Sequence, residues 1–257
     1  MFRGSVREIK EFKDTRYFSK TRFGKETATL IRDTQIKLKP AEDIQLDVVA
    51  PKPNITFIAG GTAYTAYKLA KNQEMHIAAL NFADAIIPGG CVEYGAPTQE
   101  ENLCRCTNLY ESLTNAVEYY YWNSLAKNRV YTDAVIYSPN VVCFKDDITY
   151  VKLRPRQFDI ITCPSPARRV KNDILEHRIE GIIKMAVVNR VNTIILGAWG
   201  CGAFQQDPYN MGQQFAKVLN KYNYFDNVVF AIRPSSAGWA EENKTLFEEG
   251  FESVYEG

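Results

Sequence analysis

The hydrophobic residues of this chain alternate between two kinds of segment. Short apolar runs suited to buried strands occur near residues 55–59, 76–80, 134–138, 158–163, 193–197 and 228–232. Between them, apolar residues recur every three or four positions, as on one face of a helix, over residues 62–71, 99–122, 173–189, 209–222 and 237–249. Strands that alternate with helices in this way predict an α/β fold, a mostly parallel sheet with helices on both faces.

The first 50 residues follow a different pattern. They are mixed in hydropathy and rich in charge, and they predict a helix and a strand packed on the sheet as an N-terminal extension. No linker rich in Pro, Ser or Gly divides the chain, and 257 residues are enough to enclose one large core. We therefore expect a single domain over residues 1–257.

Residues 80–105 combine a glycine turn with an acidic helix start, directly after a predicted strand. The sequence is LNFADAIIPGGCVEYGAPTQEENLCR. The Pro-Gly-Gly turn at 88–90 ends the strand with backbone that a ligand can approach closely, and Thr98 is suited to cap the next helix. Two structural alternatives stay open. Thr98 and Glu101 also spell a capping box, and a proline followed by two glycines is an ordinary turn.

A second glycine loop follows the strand predicted at 193–197. Its sequence, GAWGCGAFQQDP, places Gly200 and Gly202 where main-chain amides have room to face an anion. The alternative is a tight turn whose aromatic residues simply pack. Ligands of a parallel sheet bind at the carboxyl ends of the strands, and both glycine loops lie there. Together the two loops predict a cleft for a ligand that contains a diphosphate.

These loops resemble those of the poly(ADP-ribose) glycohydrolase family. The family signature is a glycine-rich loop, a variable segment and then Gln-Glu-Glu, which read here GGC, VEYGAPT and QEE. GAWGCGAF is similar to the loop that faces the first one across the diphosphate. The resemblance covers roughly residues 55–249 and is strongest to the microbial branch. It implies a macrodomain-like three-layer α/β/α fold with a mostly parallel mixed sheet.

Glu100 and Glu101 are the candidate catalytic residues. A glycosidic bond to ribose breaks through an oxocarbenium-like state, so the leaving oxygen must receive a proton and a water molecule must then lose one. Adjacent side chains on one helix turn cannot flank the sugar from opposite faces. One glutamate is therefore expected to act first as acid and then as base. The resemblance implies that this residue is Glu101, with Glu100 and Gln99 fixing the ribose hydroxyls.

The resemblance also implies a set of ADP-ribose-binding residues. Asp84 resembles the residue that contacts the distal ribose, and Phe204 the aromatic that packs on it. Asp84 is equally suited to form a turn, and the alternative for Phe204 is plain packing in the core. Arg233 is placed either to cover the adenine or to form a surface salt bridge. The expected set is Asp84, Gly89, Gly90, Cys91, Gln99, Gly200, Cys201, Gly202, Ala203 and Phe204.

Cys91 is the main departure from the family pattern, which usually has a third glycine at this place. If the amide of Cys91 has to approach the diphosphate, or if its backbone needs a positive φ, the side chain weakens binding or reshapes the pocket. This departure bears on cleavage of long polymer more than on recognition of ADP-ribose.

Composition and charge limit the kinds of protein that this chain can be. A hydrophobic share of 46%, a charged share of 24% and a net charge of +1 fit an enzyme-sized globular domain, and they argue against gathering nucleic acid by bulk charge. KLRPR at 152–156 and ARRVK at 167–171 are candidates for a polymer track, with a solvated surface as the alternative.

No apolar run has the length of a membrane span, and the start lacks the apolar core of a secretory signal. We therefore expect a cytoplasmic protein without membrane contact.

The sequence gives little support for a metal site, a redox site or a hydrolytic triad. The six cysteines are scattered as reduced thiols would be, and the one close pair, Cys104 and Cys106, lacks the partners of a structural zinc site. His76 and His177 have no nucleophile near them in sequence. The second loop lacks the third glycine of a dinucleotide fingerprint, which argues against an oxidoreductase. We expect neither a metal nor a cofactor.

The sequence thus predicts a hydrolase that releases ADP-ribose from poly(ADP-ribose), or from protein-linked ADP-ribose, through Glu101 and without a metal. Its expected partners are ADP-ribose, the polymer and ADP-ribosylated proteins, and we expect a monomer with no sequence-specific nucleic-acid partner. The alternative is a non-catalytic reader of ADP-ribose. Both functions keep the glycine loops, but only the enzyme needs Glu101 free of its own helix cap and directed into the cleft.

Overall fold

The computed structural model describes residues 4–46, 52–222, 224–233 and 239–256. Within these ranges seven strands form one sheet: β1 (Gln35–Lys37), β2 (Asn54–Ile58), β3 (Ile77–Phe82), β4 (Val135–Lys145), β5 (Lys152–Cys163), β6 (Thr193–Leu196) and β7 (Asn227–Ala231). The α-helices are α1 (Val6–Thr21), α2 (Gly24–Asp33), α3 (Pro40–Asp43), α4 (Thr62–Leu69), α5 (Gln99–Cys106), α6 (Leu109–Asn115), α7 (Val117–Leu125), α8 (Asn172–Val188), α9 (Pro208–Lys221) and α10 (Trp239–Glu252).

The sheet is mixed and mostly parallel, in the order β1-β4-β5-β3-β6-β7-β2. β1 with β4 and β4 with β5 pair antiparallel, and the other four pairs are parallel. This confirms the predicted α/β sheet. β3 and β6 are neighbours, so the two glycine loops that follow them lie side by side at one edge of the sheet.

Helices cover both faces of the sheet, and β3 is buried between them. Ala78 and Leu80 face a core layer built with α8, α9 and α10, whereas Ile77 and Ala79 face a layer that includes α1, α4 and α5. Successive side chains of a strand point to opposite faces, so burial on both sides produces the continuous apolar run seen in the sequence. No helix of the described residues is long and apolar enough to cross a membrane.

The single helix predicted over residues 99–122 is wrong, because α5, α6 and α7 divide this stretch. The first break lies at Thr107 and Asn108. Asn108 N donates to Val142 O of β4 at 3.2 Å, and Asn108 Oδ1 accepts from Val142 N at 2.8 Å. Thr107 also forms an isolated bridge with Cys143. Pairing with the sheet thus replaces the helical hydrogen bonds, while the helical spacing of apolar residues continues across the break and conceals it.

The basic stretch KLRPR lies within β5. Lys152 Nζ is 3.9 Å from the centre of the Phe18 ring, and the Arg156 guanidinium lies 4.2 Å from that of Tyr67. Arg156 also donates to Tyr67 O at 2.8 Å. Lys152 and Arg156, at the two ends of the stretch, are thus engaged in contacts within the protein. This favours a structural role for KLRPR over a polymer track.

Helix α1 packs on α5 and β4 through two buried cations. Arg105 Nε lies 2.8 Å from Glu8 Oε2, and Lys145 Nζ lies 2.9 Å from both Glu11 Oε2 and Asp14 Oδ2. The side chains of Arg105 and Lys145 are only 1% and 0% exposed. Breaking a buried ion pair is costly, so the acids of α1 hold the N-terminal segment on the rest of the fold. That all 257 residues form one domain stays a prediction, and residues 1–3 and 47–51 lie outside the description.

His76, directly before β3, forms an ion pair with a buried carboxylate at the edge of the sheet opposite the glycine loops. Its Nε2 lies 2.6 Å from Asp159 Oδ2. Asp159 also accepts hydrogen bonds from the Tyr137 hydroxyl and from Asn140 N. The hydrogen bond to Asp159 raises the pKa of His76 above its ordinary value, although partial burial opposes the rise.

We expect His76→Gln to reduce the free energy of unfolding more at pH 5 than at pH 8. A raised folded-state pKa stabilises the protein fully below the unfolded-state pKa of about 6.5, and this contribution is lost as pH rises through the folded-state pKa. Because the side chain is 46% exposed, solvent screening keeps the difference below about 1 kcal/mol. Urea unfolding at the two pH values measures it. Equal destabilisation at both would contradict a charged pair.

Candidate active site

A pocket of about 930 Å³ opens at the edge of the sheet where the glycine loops lie. Its walls are the start of α4, the loop after β3, the start of α5, the turn after β4 and the loop after β6. The volume is at the upper end of the range for small-molecule sites and suits a ligand of dinucleotide size.

The first glycine loop packs against both candidate catalytic residues. Gly89 has φ +70° and Gly90 has φ +57°, in the left-handed region that favours glycine. A Cβ on Gly90 would lie 2.5 Å from Glu101 Oε1 and 3.2 Å from Glu100 Oε2. Glycine at 90 is therefore required by its backbone conformation and by the space that the two carboxyl groups fill.

Glu101 is oriented by the first loop rather than by a reciprocal helix cap. Its Oε1 accepts a hydrogen bond from Cys91 N at 3.0 Å, and its Oε2 accepts one from the Thr98 hydroxyl. The Thr98 side chain forms no capping hydrogen bond to the helix backbone, so the capping box allowed by the sequence is not formed. Glu101 is 5% exposed and lines the pocket.

Glu100 faces the end of β3 and is almost completely buried. Its Oε2 accepts from Asp84 N at 2.7 Å, and its Oε1 accepts from Asn81 Nδ2 at 3.2 Å. Burial raises the pKa of Glu100 well above its ordinary value; the hydrogen bond from Asp84 N opposes this and the charge of Glu101 adds to it. The contacts of Glu100 in this structure fix the strand end beside Glu101.

Gln99 joins the start of α5 to β3 and α4. Its Oε1 accepts from Phe82 N at 2.9 Å, and its Nε2 donates to Leu80 O at 2.8 Å and to Thr62 Oγ1 at 3.1 Å. Both amide hydrogens are thus used within the protein. The resemblance implied contacts with the ribose hydroxyls, whereas this geometry gives Gln99 a part in holding α5 on β3 and α4.

Asp84 forms a turn and also lines the pocket. Its Oδ1 accepts from Ile86 N at 2.7 Å and from Ile87 N at 2.8 Å, which is the turn considered as the alternative in the sequence. Its Oδ2 accepts no hydrogen bond from the residues that the structure describes. One carboxylate oxygen therefore shapes the loop, and the other is available to a ligand.

The second glycine loop has two glycines with different requirements. Gly200 has φ +77°, and a Cβ there would collide with the Ser165 hydroxyl. A Cβ on Gly202 would meet no atom within 4 Å. Gly200 is thus required by packing, whereas Gly202 borders open space in the pocket wall, where a ligand can approach the backbone.

The amides of this loop are suited to an anion. Gly202, Ala203 and Phe204 line the pocket, and their main-chain N–H groups find no acceptor among the described residues. Cys201 N is already used, since it donates to Ala198 O at 3.1 Å. Phe204 is partly exposed, while Trp199 is fully buried and donates from Nε1 to Cys163 O at 3.1 Å. Packing therefore accounts for Trp199 but not for Phe204.

Cys91 fits its position without backbone strain. Its φ is −94°, an ordinary value, so the concern that this position needs a positive φ does not arise. Its amide donates to Glu101, and its exposed side chain lines the pocket. Burial raises the pKa of the Cys91 thiol, and the carboxylates of Glu101 and Asp84 raise it further.

The sequence did not single out one pocket residue, Asp147, although it lies in the acidic turn KDD after β4. Asp147 is 2% exposed, and its Oδ2 lies 3.1 Å from Arg233 Nη2. Asn102 Nδ2, on α5, donates to Asp147 O at 2.9 Å. Arg233 therefore forms the salt bridge considered for it, but at the pocket wall. The two adjacent acids of KDD, directly after an apolar strand, are the sequence feature that could have indicated Asp147 as a pocket residue.

No group of three His, Cys, Asp or Glu side chains suited to a metal ion lies within the described residues. All six cysteines are free thiols, and five of them are buried: Cys104, Cys106, Cys143, Cys163 and Cys201.

Comparison with known proteins assigns the chain to a family. The sequence model described as the microbial-type PARG catalytic domain, where PARG is poly(ADP-ribose) glycohydrolase, matches residues 9–146, more than half of the 257 residues. The chain belongs to this family. No curated protein matches the chain.

Solved structures of bacterial PARG proteins have the same fold. The poly(ADP-ribose) glycohydrolase of Thermomonospora curvata is 26% identical, with 96% of this chain and 100% of that chain covered and a TM-score of 0.87. The same protein bound to the inhibitor ADP-HPD is 25% identical over 95% and 99% of the two chains, with a TM-score of 0.84. That of Deinococcus radiodurans in complex with ADP-ribose is 28% identical over 89% and 98%, with a TM-score of 0.78. The predicted family, macrodomain-like fold and enzyme class are confirmed.

Proposed function

We propose that this protein releases ADP-ribose from poly(ADP-ribose) by cleaving the ribose–ribose O-glycosidic bond, with Glu101 as the acid and base and without a metal ion. The observation that carries this proposal is the placement of Glu101 in the pocket wall, where a loop amide and a hydroxyl orient its carboxyl group. Relatives with the same fold bind ADP-ribose and the inhibitor ADP-HPD, which supports ADP-ribose as the occupant of the pocket.

Glu101 performs both proton transfers in this mechanism. The protonated carboxyl donates its proton to the leaving ribose oxygen as the bond to the anomeric carbon breaks. The hydrogen bonds from Cys91 N and the Thr98 hydroxyl then stabilise the carboxylate that forms. A water molecule adds its hydroxyl to the anomeric carbon and returns a proton to Glu101. The enzyme thus regains its starting state with one water molecule consumed.

The two loops hold the rest of ADP-ribose. The free amides of Gly202, Ala203 and Phe204 bind the diphosphate opposite the first loop, because consecutive main-chain donors form an anion site. Asp84 Oδ2 and the Phe204 ring contact the distal ribose. Cys91, Gly200 and Cys201 form the pocket wall around the ligand, and the buried Gly89 and Gly90 support the first loop behind it. Gln99 and Glu100 position α5 and the end of β3, since their polar atoms are used on those elements.

A non-catalytic reader of ADP-ribose is the competing function. Such a reader would keep both loops, but nothing in binding alone requires a carboxyl group at 101 that lines the pocket and is oriented by Cys91 N and the Thr98 hydroxyl. The orientation of Glu101 therefore favours the enzyme.

Incubation with automodified poly(ADP-ribose) in the presence of EDTA tests the proposal. We expect release of free ADP-ribose at the same rate with and without the chelator, because the proton transfers need only Glu101. Chromatography of the products measures it. Loss of the release with EDTA would contradict the metal-free mechanism, and binding without any release would favour the reader.

We expect Cys91→Gly to change ADP-ribose affinity and polymer turnover by less than about threefold. The backbone at this position already has a negative φ, and the Cys91 amide that holds Glu101 is kept, so glycine mainly adds freedom to the free loop. Calorimetry and initial rates measure the two quantities. A large gain in polymer cleavage would instead mean that the thiol obstructs the polymer.

A further inference from the structure

Two surface segments, 126–133 and 164–171, form one platform beside the Phe204 side of the pocket. Ala167 N donates to Arg129 O at 2.9 Å, which joins the segments. Gln206 Nε2, next to the second glycine loop, donates to Pro166 O at 2.7 Å and to Arg168 O at 2.9 Å. Because Ser165 and Phe204 line the pocket, the pocket wall continues directly into the platform.

A buried arginine of α8 fixes both segments of the platform. Arg178 is 1% exposed, and its Nη1 donates to Val130 O at 3.0 Å and to Pro164 O at 3.1 Å. Its Nη2 donates to Tyr131 O at 3.4 Å, and its Nε donates to Asp133 Oδ1 at 2.9 Å. One side chain thus holds carbonyl groups of both segments, and the platform has a defined shape.

The platform also contains strained backbone. Asn128, Arg129 and Tyr131 have φ values of 61°, 57° and 62°, and they are three of the seven non-glycine residues with positive φ in the described chain. Such conformations persist where the surroundings impose them, and they concentrate at functional sites. The side chains on this strained backbone are therefore candidates for a functional role.

Those side chains are basic and aromatic. The Tyr131 ring lies 6.5 Å from the ring of Phe204. Asp133, the acid of the first segment, is already paired with Arg178. Five cations are exposed and take part in no ion pair with the described residues: Lys127, Arg129, Arg168, Arg169 and Lys171. On a chain of net charge +1, this is a local basic patch continuous with the pocket.

We propose that this platform binds the ADP-ribose unit that follows the one being released. The proposal rests on the proposed function: the scissile bond joins the distal ribose to the next unit, so the remaining polymer leaves the pocket on the Phe204 side. The diphosphate of that unit lies on Arg129, Arg168 and Arg169, and its adenine stacks on Tyr131. The stretch 167–171 is then a polymer track, whereas KLRPR is not.

Binding by inactive protein separates this proposal from the catalytic one. In a Glu101→Gln background, we expect Arg129→Asn with Arg168→Gln and Arg169→Gln to weaken polymer binding at least about tenfold and to flatten its salt dependence. Asparagine tolerates the positive φ at 129. The affinity for ADP-ribose alone is expected to stay within about twofold. The matched control changes three exposed lysines elsewhere to glutamine, Lys20, Lys25 and Lys71, and is expected to change neither affinity.

Two further variants keep the test independent of folding. Arg168→Gln with Arg169→Gln leaves the strained segment intact and is expected to give part of the loss. Tyr131→Asn also tolerates the positive φ and removes the ring, and it is expected to weaken polymer binding several-fold at high salt, where stacking dominates. Thermal unfolding checks that each variant is folded.

Three results would overturn the proposal: unchanged polymer affinity in the arginine variants, an equal loss of ADP-ribose affinity, or competition by single-stranded RNA as effective as that by the polymer. The second would place these residues in the pocket of the terminal unit, and the third would make the platform a general polyanion surface. If wild-type protein binds polymer through the platform but releases no ADP-ribose, the proposed function fails and the platform stands.

Discussion

Glu101→Gln is expected to lower turnover of poly(ADP-ribose) by about 100-fold to 10,000-fold, while ADP-ribose affinity stays within about tenfold. Glutamine cannot give the leaving oxygen its proton, but its side chain keeps nearly the same size and still accepts a hydrogen bond from Cys91 N. The loss should therefore fall on the chemical step. Single-turnover rates and calorimetry measure the two effects separately.

Glu93→Gln is the matched control for this substitution. Glu93 is exposed in the 3-10 turn between the first loop and α5, where the Tyr110 hydroxyl donates to it at 3.2 Å. This change should leave turnover within about twofold. If Glu101→Gln kept most of the turnover, the acid–base role would be wrong. A collapse of its thermal stability would show that the carboxyl group mainly supports the loop.

Gly90→Ala is expected to lower turnover at least about 100-fold and to destabilise the protein by about 1–3 kcal/mol. Alanine is strained at the φ of +57°, and its Cβ would lie 2.5 Å from Glu101 Oε1. The loop or the carboxyl group must therefore move, and the hydrogen bond from Cys91 N is lost or lengthened. Rates and urea unfolding give the two values.

Gly24→Ala is the matched control, because it makes the same substitution where there is neither a positive φ nor a contact with a carboxyl group. Gly24 begins α2 at a negative φ, and a Cβ there meets no atom within 4 Å. We expect unchanged turnover and unchanged or slightly higher stability, because alanine favours helix. Full turnover in Gly90→Ala would mean that the position of Glu101 does not depend on the loop.

The parts of the fold that the sequence predicted are those governed by local patterns. β3 and β6 are buried on both faces, so each appears as a continuous apolar run, and glycines mark the loops that follow them. Because parallel strands end at one edge of the sheet, these local signals were enough to bring Cys91, Gly202 and Glu101 to one pocket.

The parts that the sequence did not predict depend on partners far along the chain. Asn108 interrupts the long helix because it pairs with Val142, 34 residues away, and no local spacing encodes that contact. Asp147 and Arg233 meet across 86 residues. The resemblance assigned Gln99 to the ribose hydroxyls, whereas in this structure its amide bonds to β3 and α4. Side-chain direction at such positions is decided by tertiary contacts rather than by the residue type.

The two buried cations under α1 also constrain the order of events during synthesis. Helix α1 is translated before its partners, and Lys145, which pairs with Glu11, follows 134 residues later. The helix must therefore stay undocked while the ribosome makes the catalytic helix and β4, and it joins the fold only once both have emerged. Until α1 docks, Arg105 and Lys145 are not paired with its acids, so α5 and β4 cannot bury these two cations in a closed core. Helix α1 thus docks well after it is made, and a fusion partner that captures α1 would delay assembly of the active site without touching it.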